Sequence, residues 1–123
     1  MCQVFIGADP ALYHNRARSL RLRGVSTSIR LENLFWRVLE EIGARDGLPV
    51  PQLIAKLYDE LVEAGGDIAN FSSFLRVSCL RYLSLQLAGA IPTHASVPIA
   101  SLDARQVLAA ERALHQAATR AAA

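Results

Sequence analysis

Five arginines, Arg16, Arg18, Arg21, Arg23 and Arg30, fall between Pro10 and Leu31, a stretch without a single acidic residue. The whole chain of 123 residues carries thirteen basic and eleven acidic side chains, so the other eight bases face eleven acids. A guanidinium is a planar fork of N–H donors that fits phosphate oxygens and the O6/N7 edge of guanine better than an ammonium does. Gathered in one stretch, such groups predict contact with nucleic acid, with Arg16, Arg18, Arg21 and Arg23 as phosphate ligands. The plainer alternative is a solvated basic strand that blunts a sheet edge.

Other chemistry finds little support. His14, His94 and His115 are scattered, with no base, acid or metal ligand at a useful spacing. Cys2 and Cys79 have no partner at ligand spacing, and Cys79 lies in an apolar helical run, so neither a metal site nor a disulfide framework is expected. Gly65-Gly66 follows a helix rather than a strand, the wrong context for a phosphate loop. The pairs Glu40-Glu41 and Asp59-Glu60 sit on solvent faces of amphipathic segments. No catalytic residues, metal or cofactor are expected, and an enzyme is not. No apolar run approaches the ~18 residues of a membrane span, and no signal peptide pattern opens the chain, so a cytoplasmic protein is expected.

The elements that carry the arginines follow from hydrophobic period. Thr27, Ile29 and Leu31 alternate with Ser26, Ser28 and Arg30, which predicts a half-buried strand with the second set facing away from the core. From Leu34 the spacing becomes helical, with Leu34, Phe35, Val38, Leu39 and Ile42 on one stripe and Trp36 beside it. Gly47 closes this helix, Pro51 suits the first turn of the next, and Leu53, Ile54, Leu57, Tyr58 and Leu61 repeat the stripe. A lone strand with two short helices cannot close a core, so a two-fold dimer is expected, its strands paired antiparallel. Its core would be Ile29, Leu31, Phe35, Trp36, Leu39, Ile42, Leu53, Ile54 and Leu57.

Residues 1–24 read as a basic arm with short strands at Cys2–Gly7 and Ser19–Arg23. Asp9-Pro10 marks a turn or helix start, and Gly24 punctuates the arm's end. The second of these strands either lies beside the ribbon or extends it through a bulge at Gly24. Residues 25–88 hold the strand, the two helices and a third, nearly all-apolar helix from about Asn70 to Leu87. Residues 89–100 read as a Gly/Pro/Ser/Thr linker, and 101–123 as an Ala-rich helical tail capped by Ser101.

Thr27-Ser-Ile-Arg-Leu-Glu32, the apolar Phe35, Leu39 and Ile42, the closing Gly47-Leu48, and the distance to Leu53-Ile54 resemble the ribbon-helix-helix family of Arc- and MetJ-like dimers. Arg18–Gly24 and Leu34–Ile42 resemble a subgroup of short bacterial proteins with that domain. The resemblance implies a mainly α fold with a short β-ribbon, a dimer to which this chain adds a third helix and a helical tail. It implies a ribbon in the DNA major groove, where Ser26, Ser28 and Arg30 read base edges. It also implies a phosphate at the start of the second helix, held by the Val50 and Gln52 amides, although Pro49 replaces the usual hydroxyl cap.

Two readings remain. One is a transcriptional regulator that binds double-stranded DNA as a homodimer or a higher oligomer on DNA, and is thus nucleoid-associated. The other is an oligomeric protein-interaction module, antitoxin-like or without DNA contact, with a protein partner on the third helix or tail.

Overall fold

The computed structural model describes residues 2–122, so Met1 of the arm and Ala123 of the tail lie outside the described residues. The order is α1 (Cys2–Ile6), α2 (Pro10–Tyr13), β1 (Asn15–Leu22), β2 (Val25–Glu32), α3 (Asn33–Arg45), α4 (Val50–Glu63), α5 (Phe71–Leu87), a 3-10 turn (Ile99–Ser101) and α6 (Ala104–Ala122).

The strand of residues 27–31 is not alone. β1 pairs with β2 antiparallel over eight residue pairs, from Asn15↔Glu32 to Leu22↔Val25. Only Arg23 and Gly24 separate the strands, and both have positive φ, 51° and 80°. Two left-handed residues give the primed turn whose twist matches that of paired strands. Glycine accepts that geometry freely, whereas Arg23 is strained there. Its side chain is held by Asp59 at 3.0 Å and Glu63 at 3.8 Å on α4.

The hairpin lays Leu20, Leu22, Ile29 and Leu31 on the helices, all buried. α3 adds Trp36, Val38 and Leu39, α4 adds Val50, Leu53 and Ile54, and α5 adds Phe71, Leu75, Cys79, Tyr82 and Leu85. Phe35, Ile42 and Leu57 are half-buried around this core, and Leu34 is exposed. Trp36 is thus at the centre of the α3 contact rather than beside it, because α3 is covered by both the hairpin and α5. The core closes within one chain. The expectation of an obligate dimer rested on an unpartnered strand, and that premise falls.

α3 ends as its sequence predicts. Gly47 (φ 68°) donates to the Ala44 carbonyl at 3.2 Å and Leu48 to the Gly43 carbonyl at 2.8 Å, the paired bonds that close a helix through a left-handed residue. The arm differs from expectation. Residues 2–6 form a helical turn and a half, with Val4, Phe5 and Ile6 exposed. A strand requires a neighbouring edge, and this segment instead closes its own backbone bonds. Asp9 does start α2, accepting from the Ala11 amide at 3.0 Å.

The segment 89–100 is pinned down, contrary to its reading as a linker. Ile91 is buried, and Arg45, itself only 5% exposed, donates to the Val97 carbonyl (2.9 Å), the His94 carbonyl (3.1 Å) and the Tyr82 hydroxyl (3.2 Å). Asp46 accepts from the Ile99 and Ala100 amides. Asp103, not Ser101, caps α6, accepting from the Arg105 amide at 3.0 Å. Leu102 and Val107 pack on the core, but no described residue of α6 is fully buried, and beyond Glu111 all of them are exposed.

A core closed in one chain makes unfolding unimolecular, so the urea midpoint should not move over a hundredfold range of protein concentration; a midpoint rising with concentration would show a core shared between copies. α6 is further tied by Arg81 and Glu111 at 2.7 and 2.8 Å. Those hydrogen bonds hold the Glu111 carboxyl below its ordinary 4.5. A depressed carboxyl pKa contributes stability that is complete above the unfolded value and lost as pH falls through the folded one. The protection of α6 amides relative to their intrinsic exchange rates should therefore fall as pH drops below 4.5, and Glu111→Gln should remove that pH-dependent step.

Candidate nucleic-acid interface

Alternation sorts the arginines by face. On β1, residues 16, 18, 20 and 22 face the helices, while Asn15, Ala17, Ser19 and Arg21 face outward. On β2, Thr27, Ile29 and Leu31 face inward, and Ser26, Ser28 and Arg30 face outward. The outward sheet face therefore presents the pairs Ala17↔Arg30, Ser19↔Ser28 and Arg21↔Ser26, all exposed. Small side chains fill its middle and a guanidinium stands at either end.

The two guanidiniums are lightly held. Arg30 donates to the Asn15 side-chain carbonyl at 2.7 Å and Arg21 to the Gly24 carbonyl at 3.3 Å. Among the described residues neither has a carboxylate within ion-pair distance, whereas Arg23, Arg76 and Arg81 each do. Glu32 closes the face, but its carboxylate is turned to Arg76 of α5, at 2.8 and 3.3 Å. That hydrogen bond holds the Glu32 carboxyl below the usual carboxylate range, so it stays ionised and paired.

The four arginines grouped as phosphate ligands have four different environments. Arg16 is exposed at the start of β1. Arg18 is half-buried with its guanidinium 5.2 Å from the Trp36 ring centre, a cation over an aromatic face. Arg21 belongs to the outward face beside Ser26, and Arg23 is the strained turn residue paired to α4. Val50 is buried, Gln52 is exposed, and the first turn of α4 has Pro49 as its cap with no side-chain hydrogen bond. The set read from the sequence is thus partly dispersed, while Ser19, missed there, stands opposite Ser28. Parity was the available signal: residues 16 and 18 cannot share a face with residues 21 and 23 in one strand.

Trp36 positions the ribbon from beneath. Its indole N–H donates to the Arg16 carbonyl at 2.9 Å while the ring is wholly buried. Trp36→Ala should cost about 3–5 kcal/mol in urea unfolding and fray the ribbon from its open end, seen as faster amide exchange at the paired Arg16 and Leu31 than at Leu22 and Val25 beside the turn. Equal quickening along the whole ribbon would mean that the indole only fills volume.

Among the described residues no group of three His, Cys, Asp or Glu side chains could hold a metal, and no helix is long and apolar enough to cross a membrane. Burial pushes the Cys79 thiol up to about 11, which leaves it an unreactive core residue.

A family model for the ribbon-helix-helix domain matches residues 15–83, beginning with β1 and ending inside α5. Among solved structures, an uncharacterized protein from Bordetella pertussis Tohama I is 64% identical and superposes with a TM-score of 0.85, covering 88% of this chain and 86% of that one. No protein of curated function matches the chain.

Proposed function

The chain belongs to the ribbon-helix-helix domain family, and from that premise we propose that it binds duplex DNA and regulates transcription, with the outward face of the β1–β2 hairpin in the major groove. The carrying observation is that this face is exposed and polar, bears Ser26, Ser28 and Arg30, and has its one carboxylate, Glu32, neutralised by Arg76. A two-stranded ribbon fits the ~12 Å groove, Arg30 matches guanine O6 and N7, and the serines donate or accept at base edges. Arg16, exposed at the ribbon's margin, suits a phosphate. Arg23, engaged by α4, does not.

A second reading, the oligomeric interaction module, draws on α5. Its outer face exposes Val77, Leu80, Leu83 and Leu87, the last by 92%, and such a stripe suits a second copy or a protein partner.

A salt titration separates the readings. Binding to duplex DNA should weaken with salt, log K falling by ~0.9 per phosphate contacted. Arg16→Ala should flatten the slope by about one contact. Arg23→Asn, which suits a left-handed turn, should leave it unchanged. Arg30→Ala should cost ~1–3 kcal/mol on a preferred site and relax one base pair. No duplex binding at low salt would favour the interaction module.

A further inference from the structure

The two strands of the ribbon carry the same short pattern. Arg18-Ser19-Leu20-Arg21-Leu22 and Thr27-Ser28-Ile29-Arg30-Leu31 are nine positions apart, with Ser, an aliphatic, Arg and Leu in the same order. In the hairpin this spacing has a geometric meaning. Ser19 is directly opposite Ser28, Arg21 is two pairs to one side and Arg30 two pairs to the other. A local two-fold axis through the Ser19–Ser28 pair exchanges Arg21 with Arg30, Leu20 with Ile29, Leu22 with Leu31, and the small Ala17 with Ser26.

Packing accounts for half of this repeat. The aliphatic positions face the core and would be apolar in any amphipathic hairpin. The helices beneath have no two-fold, since α3, α4 and α5 each meet the ribbon differently, so the core does not require equivalent residues. The outward positions touch no core at all. Serine and an unneutralised arginine nevertheless recur there at symmetry-related places, which suits a ligand that is itself two-fold. Duplex DNA with an inverted repeat is such a ligand.

We infer that one chain carries a complete pseudo-two-fold reading ribbon, in which Ser19 with Arg21 and Ser28 with Arg30 are equivalent reading pairs for a short inverted repeat, one chain per repeat. The inference rests on the DNA-binding reading above. It moves Arg21 from phosphate ligand to specificity-determining residue, and adds Ser19. Arg21 and Arg30 are four residue steps apart along the ribbon, about 13 Å at ~3.3 Å per residue. At ~3.4 Å per base pair, the two guanines are about four base pairs apart, on opposite strands as the dyad requires.

The experiment is site selection from randomised duplexes with the full chain, followed by affinity and stoichiometry measurements on the selected site for wild type, Arg21→Ala, Arg21→Lys and Arg30→Ala. Expected are a consensus with inverted symmetry, one chain bound per repeat, and loss of preference at one guanine in each alanine variant. Each variant should lose about ten- to a hundredfold on the selected duplex with little loss on unrelated ones. Arg21→Lys should lose the preference too, since it keeps the charge but not the fork. A one-sided consensus, a uniform loss with Arg21→Ala, retained preference with Arg21→Lys, or two chains per repeat would overturn the inference while leaving DNA binding intact. A wild-type chain that binds no duplex, or all duplexes alike, overturns the DNA-binding reading and the inference with it.

Discussion

Pairing register decides the outcome in a two-stranded ribbon, because side chains alternate between faces and a slip of one residue exchanges the faces of the slipped strand. Here the register is fixed at both ends. The Arg23-Gly24 turn admits only adjacent strands, and Glu32 is held to α5 by Arg76. Between them Leu20, Leu22, Ile29 and Leu31 are buried, each by roughly 1.5–3 kcal/mol of apolar transfer. A one-residue slip of either strand would expose two of these aliphatics and turn that strand's outward arginine, Arg21 or Arg30, toward the core. The polar outer face is therefore as well determined as the apolar inner one, although its residues Ala17, Ser19, Arg21, Ser26, Ser28 and Arg30 are all exposed.

Closing the core in one chain depends on α5. Its inner face, from Phe71 through Leu75, Cys79 and Tyr82 to Leu85, supplies the wall that two short helices and a hairpin lack. Its charged residues then serve as ties, Arg76 to the end of β2 and Arg81 to α6. Both ion pairs are partly exposed, so each contributes modestly. Their role is in direction: each fixes which element lies against α5 and at what height.

Much of the core was legible in the sequence because local pattern and burial agree there. The alternation at Ser26–Leu31, the Gly47 closure and the stripe of α4 each needed only nearby residues. What was not legible needed knowledge of neighbours. The strand pattern in Ser19–Arg23 was visible, but whether its partner lay in the same chain depended on Arg23 accepting a left-handed conformation, which arginine rarely does. The Cys2–Ile6 segment has strand-like residues but pairs with neither free edge of the two-stranded ribbon, closing its own backbone bonds as a helix instead. The 89–100 segment has loop composition, and composition says nothing about the buried guanidinium of Arg45 that fastens it. For the candidate interface, the basic stretch was plain in the sequence, but treating its arginines as one group ignored the two faces of a strand.

One joint in the chain has a mechanical meaning. β2 ends at Glu32 and α3 begins at Asn33 with no residue between, while the far end of α3 grips the 94–100 loop through Arg45 and Asp46. A helix of thirteen residues is a rod of about 20 Å, stiff against bending and here without slack at either end. Such a rod keeps the end of β2 and the loop that leads into α6 at a set separation of about 20 Å, with the spacing written into the length of one helix.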